Sequence, residues 1–122
     1  MPCESELDLA RRWVKIRAWG LLTFDEIMAA RRKFTTDPNF KADFFQLYDV
    51  REVTHAPLTA TEVMELAKAA LFAPSSRRAF VATTAEADGI LKIFQIFREV
   101  NFGKEQIRQF RSIEDAEAWL AG

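Results

Sequence analysis

Residues 44–55, FFQLYDVREVTH, run from two aromatics into Asp49, Arg51, Thr54 and His55. A carboxylate, a guanidinium, a hydroxyl and the chain's only imidazole are the groups from which acid–base chemistry or anion binding is assembled. They come at the end of what reads as a buried strand, and open α/β sheets take ligands in clefts outside such strand ends. The helix that begins after Thr59 adds free backbone N–H groups nearby. Hydrolysis would further need a nucleophile in reach of the base. Ser75 and Ser76 lie in a different loop beside Arg77 and Arg78, without the strand-to-helix turn of a nucleophile elbow. Gly89 stands alone, so there is no glycine-rich phosphate loop. Asp49, Arg51, Thr54 and His55 are therefore read as a ligand- or partner-binding set and not as an enzyme's. The competing reading is that Asp49 pairs with Arg51 and fixes the loop.

Composition narrows the function classes. The 122 residues are the size of one domain, with 49% hydrophobic and 29% charged residues, the balance of a water-soluble globular chain. A net charge of −1 gives no global attraction to nucleic acid or anionic membrane. Cys3 is the single cysteine, placed in what reads as an N-terminal tail, so no internal disulfide forms; with one histidine, a conventional zinc site is out of reach. The sequence implies no cofactor. Its start, MPCESELDLA, lacks the apolar core of a secretory signal, and ILKIFQIF is far short of the roughly 20 residues of a membrane span. The expected location is the cytoplasm.

The elements that must position these residues follow from periodicity. RWVKIRAWG alternates, with Val14, Ile16 and Ala18 on a dry side and Trp13, Lys15, Arg17 and Trp19 opposite. Thr23 with Glu26, and Thr59 with Glu62, stand at capping-box spacing and open two helices. The first carries Ile27, Ala30 and Phe34, with Arg31 at its margin and Arg31-Arg32-Lys33 as a solvated end. The second carries Val63, Leu66, Ala67, Ala70 and Leu71 at i, i+3, i+4, i+7 and i+8. DFFQLYDV, RRAFVATT and EQIRQF read as further strands. AEADGILKIFQIFREV is a third helix, with Ile90, Ile93, Phe94 and Phe97 on one stripe and Glu86 and Asp88 favouring its N-terminus. SIEDAEAWLAG is a fourth, capped by Ser112 and buried through Ile113, Ala116 and Leu120. A further strand fits within residues 3–10. Strands alternating with helices predict an α/β sandwich with a largely parallel sheet.

The strings GLLTFDE, DPNF, LYDVREV, LTATEV, RRAFVA and AEAWL come in an order that resembles the SpoIIAA-like, STAS-related family over roughly residues 8–121. This family comprises sulfate-transporter and anti-sigma-factor-antagonist domains, with kinship to CRAL-TRIO lipid-binding proteins. The resemblance implies a STAS-like two-layer sandwich: a mixed sheet of four to five strands with four helices. It also implies a regulatory or binding module acting through a protein partner or a small ligand. Antagonists of this type carry a phosphorylatable serine just after the acidic residue of the central strand. Here Val50 and Arg51 follow Asp49, so that switch is missing, and Thr54 is out of register for it.

Two further surfaces arise from the same pattern. Trp13, Lys15, Arg17 and Trp19, with Gln46 and Tyr48 and then Arg78 and Phe80, would form an aromatic and basic sheet face. Such a face suits a homodimer contact, cover by the chain's own helices, or single-stranded nucleic acid, which the near-neutral charge disfavours. Phe72, Phe94, Phe97 and Phe102 could instead line a pocket for a lipophilic ligand, with ordinary core packing as the alternative.

Overall fold

The computed structural model describes residues 2–122. Nine elements follow one another: β1 Cys3–Asp8, β2 Trp13–Leu21, α1 Phe24–Thr35, β3 Phe45–His55, α2 Ala60–Lys68, β4 Arg78–Val81, α3 Ala85–Phe102, β5 Ile107–Phe110 and α4 Ile113–Ala121. Both capping boxes are formed. Thr23 and Thr59 each accept from the backbone N–H of the glutamate three residues on, and Glu26 and Glu62 bond back to the cap N–H.

The sheet is mixed, in the order β1-β2-β3-β4-β5. β2 to β5 are parallel, and β1 joins β2 antiparallel with Cys3 opposite Ala18. The strand expected within residues 3–10 is thus present, and Cys3 is a buried strand residue rather than part of a tail. Each crossover moves one place along the sheet in the same direction. Connections of one hand then put α1, α2 and α3 on a single face. Their buried residues Ile27, Ala30, Phe34, Val63, Leu66, Ala67, Leu91 and Phe94 pack with Val14, Ile16, Ala18 and Phe80 of the sheet. α4 is the last of the described elements. It returns across the opposite face, where Ala116 and Leu120 meet Trp13, Leu47, Ala79 and Val81.

Strand register corrects the aromatic and basic face read from the sequence. Val14 pairs with Gln46 and Ile16 with Tyr48, while Gln46 and Tyr48 pair in turn with Arg78 and Phe80. These four side chains therefore share the helix-covered face with the dry side of β2. The face opposite carries Trp13, buried under α4, and then Lys15, Arg17 and Asp49. Side-chain parity does not carry from one strand to the next without the register, because a single step exchanges the faces.

Two helices also differ from their expected outlines. α2 stops at Lys68, and Ala70 is exposed. Its last carbonyls are taken by Arg98 of α3, whose Nη1 donates to Ala67 O at 2.9 Å and Ala69 O at 2.6 Å. The buried stripe of α3 is Leu91, Phe94 and Arg98, leaving Ile93 exposed with Ile96 and Val100. Arg98 is 2% exposed and completes its bonding with a two-pronged pair to Glu105, Nε at 2.8 Å and Nη2 at 2.6 Å. Leaving Glu105 and two carbonyls without that partner makes Arg98→Met cost about 3–5 kcal/mol in denaturant unfolding. Leu66→Ala, a core truncation, costs about 2–5 kcal/mol, whereas His55→Ala at the exposed end of β3 costs under about 1 kcal/mol. A histidine loss as large as the other two would overturn this assignment of the core.

Candidate functional site: an apolar cavity with buried arginines

The polar set at the end of β3 is divided between the two faces of the sheet. β3 outruns β4 and pairs only with β2 beyond Asp49. Along that stretch Arg17 faces Asp49 but Trp19 faces Glu52, and Gly20 faces Val53 but Leu21 faces His55, so β3 bulges twice. Gly20 turns there with φ +64, a conformation that glycine takes without steric cost. The bulges re-aim the side chains that follow. Asp49 lies in the groove beside α4 with Arg17, Ile113 and Glu117. Its carboxylate accepts from the Arg51 backbone at 3.1 Å, from Nε at 2.9 Å and from Nη2 at 2.8 Å. Burial opposes its charge, but the Arg51 hydrogen bonds and charge outweigh that, and its carboxyl sits below its ordinary range.

His55 instead meets α3 on the other face, with Nδ1 2.9 Å from Glu86 Oε2. Glu86 Oε1 accepts from the Ala56 N–H at 2.9 Å. That backbone bond, and then His55, hold the Glu86 carboxyl below its ordinary range although it is exposed. Glu86 thus ties the β3–α2 connection to α3, beyond the helix-dipole role read from the sequence. Thr54 is exposed. Asp49 and His55 do not converge, and Ser76 is turned away, its hydroxyl donating to Ala42 O at 2.9 Å. No cluster of three or more metal-ligating side chains exists among the described residues.

The space that does converge lies inside, between the sheet and the layer of α1–α3. A cavity of about 100 Å³ is bounded by Ile27, Val63, Leu66, Phe80 and Phe94, with Leu58, Ala87 and Ile90 at its partly exposed margin. Of the four phenylalanines singled out for such a pocket, Phe94 lines it. Phe72 packs on Phe34 and Phe40, and Phe102 lies over the Arg98 guanidinium at 4.0 Å.

Four polar side chains reach this otherwise apolar wall: Arg31, Gln46, Tyr48 and Arg78. Arg31 is not a solvated helix end; its Nη2 donates to Leu66 O at 3.0 Å. Burial pulls its pKa down. The Tyr48 hydroxyl lies 3.8 Å from Cys3 Sγ, and burial pushes its pKa well above the usual value. Arg78 is 5% exposed, with its guanidinium 4.9 Å from the Phe72 ring and 5.5 Å from Phe94. Burial first, and the nearby Arg98 second, lower its pKa to about 9, so it stays charged at neutral pH. Its Nε donates to Gln46 Oε1 at 3.3 Å. Nη1 and Nη2 make no hydrogen bond among the described residues. Among the described residues no fully enclosed side-chain nitrogen or oxygen lacks a partner, so these two nitrogens are not fully enclosed.

Arg31 and Arg78 are site residues that hydrophobic periodicity does not single out. Arg98, whose charge acts on Arg78, carries a sequence signal of burial, because it stands at i+7 from Leu91 and i+4 from Phe94, on the buried stripe. For Arg78 only the register across β3 and β4 reveals it.

Neither the family models nor the curated proteins compared with the sequence give a match. Among solved structures, the chain is similar to an uncharacterized protein from the DUF3478 family with a SpoIIAA-like fold, from Shewanella loihica PV-4. The TM-score is 0.57 at 18% identity, over 88% of this chain and 83% of that one. The fold of this chain is SpoIIAA-like, an α/β sandwich on a mixed sheet, as its residues led one to expect.

Proposed function

We propose that the domain is a non-catalytic binding module that holds a small apolar molecule between its sheet and the α1–α3 layer. The observation that carries this reading is the cavity. It lies between the sheet and the helices with hydrophobic walls, while at the end of β3 Asp49 is occupied by Arg51 and His55 by Glu86. This favours small-ligand contact, the alternative suggested by the CRAL-TRIO kinship, over a partner gripped by Asp49, Arg51, Thr54 and His55. The volume is of the order of the ~150 Å³ engineered cavity that admits benzene. Benzene should therefore raise the melting temperature in a dose-dependent way. Ala30→Leu, which fills the space from α1, should abolish the effect. No shift in the wild-type protein, or an undiminished one in Ala30→Leu, would count against the reading.

Self-association is supported by a different surface from the one first considered. The open part of the sheet carries Glu4, Glu6, Lys15 and Arg17, charged groups of the kind depleted at interface cores. The outer side of α3 instead exposes Ile93, Ile96 and Val100 in one row. A second copy of the helix, antiparallel about Ile96, would set Ile93 near the partner's Val100 and Lys92 near the partner's Glu99. Such a two-fold contact is self-complementary. Sedimentation equilibrium should find a dimer that Ile96→Glu converts to a monomer without lowering the melting temperature. A wild-type monomer, or a dimer that survives the substitution, would refute it.

A further inference from the structure

One end of the cavity is electrostatically out of balance. Arg31, Arg78 and Arg98 lie close enough that the charges of Arg31 and Arg98 both oppose that of Arg78. The carboxylate that favours the Arg78 charge is Glu105, and both of its oxygens are already engaged by Arg98. Arg31 spends its Nη2 on the Leu66 carbonyl, and the Tyr48 hydroxyl has Cys3. Gln46 meets Arg78 through Nε alone, which leaves Nη1 and Nη2 without an acceptor among the described residues, in a side chain that lines the cavity. A buried cation without a paired anion is costly, and an arriving anion offsets that cost.

Resting on the cavity as the binding site, we infer that its ligand is a small monoanion with a compact apolar body, an aromatic or branched-chain carboxylate, whose oxygens take the free Nη1 and Nη2 donors of Arg78. The planar guanidinium fork matches a carboxylate in geometry. A phosphate brings a second charge into a wall that is apolar apart from Arg31, Gln46, Tyr48 and Arg78, at a higher desolvation cost than a monoanion. The space of about 100 Å³ suits one ring or a short branched chain.

The test is isothermal titration calorimetry of the whole chain with benzene, benzamide and benzoate, the last two nearly equal in shape and different in charge. Benzoate should bind at least about tenfold more tightly than benzamide, a charge-assisted pair being roughly twice as strong as a neutral one. Arg78→Met should erase that preference while still binding benzene. Arg78→Lys keeps the charge and loses the fork, and should also weaken benzoate. If benzene and benzamide bind but benzoate binds no better, or if the preference survives Arg78→Met, the inference is overturned and the cavity reading stands. If none of the three binds to the wild-type protein, both fall. The wild-type comparison decides the matter even if Arg78→Met does not fold.

Discussion

A guanidinium taken out of water must find acceptors, and the layer between the sheet and α1–α3 treats its arginines unequally under that constraint. Arg98 bonds Glu105 and the last carbonyls of α2, and in doing so joins α2 to α3. Arg31 bonds the Leu66 carbonyl and joins α1 to α2. Arg78 has one side-chain oxygen and two aromatic faces, and nothing for its outer nitrogens. The first two arginines hold the helical layer together across helix ends. The third carries a charge that the fold alone does not use, in a wall that is otherwise hydrophobic. Natural proteins keep destabilising groups where function uses them.

The backbone makes this arrangement possible. Three parallel crossovers in one direction place three helices on one face, so that face becomes deep enough to enclose a space. α4 seals Trp13, Leu47 and Val81 on the other side, so the sheet is covered on both faces where β3 to β5 meet. β3 is long enough to continue past β4 toward the N-terminus of α3, where Glu86 holds the backbone of Ala56. The polar residues that first draw attention, Asp49 and His55, belong to this scaffolding: one is fixed to Arg51, the other to Glu86.

Much of the architecture was legible in the residues. The capping boxes at Thr23 and Thr59, the alternation along residues 13–19 and the strand–helix succession carry local signals that packing did not override. The site was legible only in part. Asp49 and Arg51 stand two apart on a strand, and their pairing follows from that spacing. The turn of the strand end to the face opposite Asp49 begins at a bulge before Val53, which no periodicity announces. The face that Arg78 and Tyr48 occupy is not legible in the sequence, because alternation within a strand does not fix its phase against the next strand. Nor is the stripe of α3 legible from hydrophobicity alone, because a paired arginine, Arg98, occupies a core position and Ile93 an exposed one.

The central claim is that Arg78, deep in the protein, is surplus to the stability of the fold. Its most direct test is the unfolding free energy of the double variant Arg78→Met, Gln46→Leu, which removes the cation and its acceptor together so that neither is stranded. The account requires a stability equal to or above that of the wild-type protein. A loss of about 3 kcal/mol or more, the size expected for breaking a buried pair, would mean that Arg78 is a structural tie like Arg98 and would contradict it.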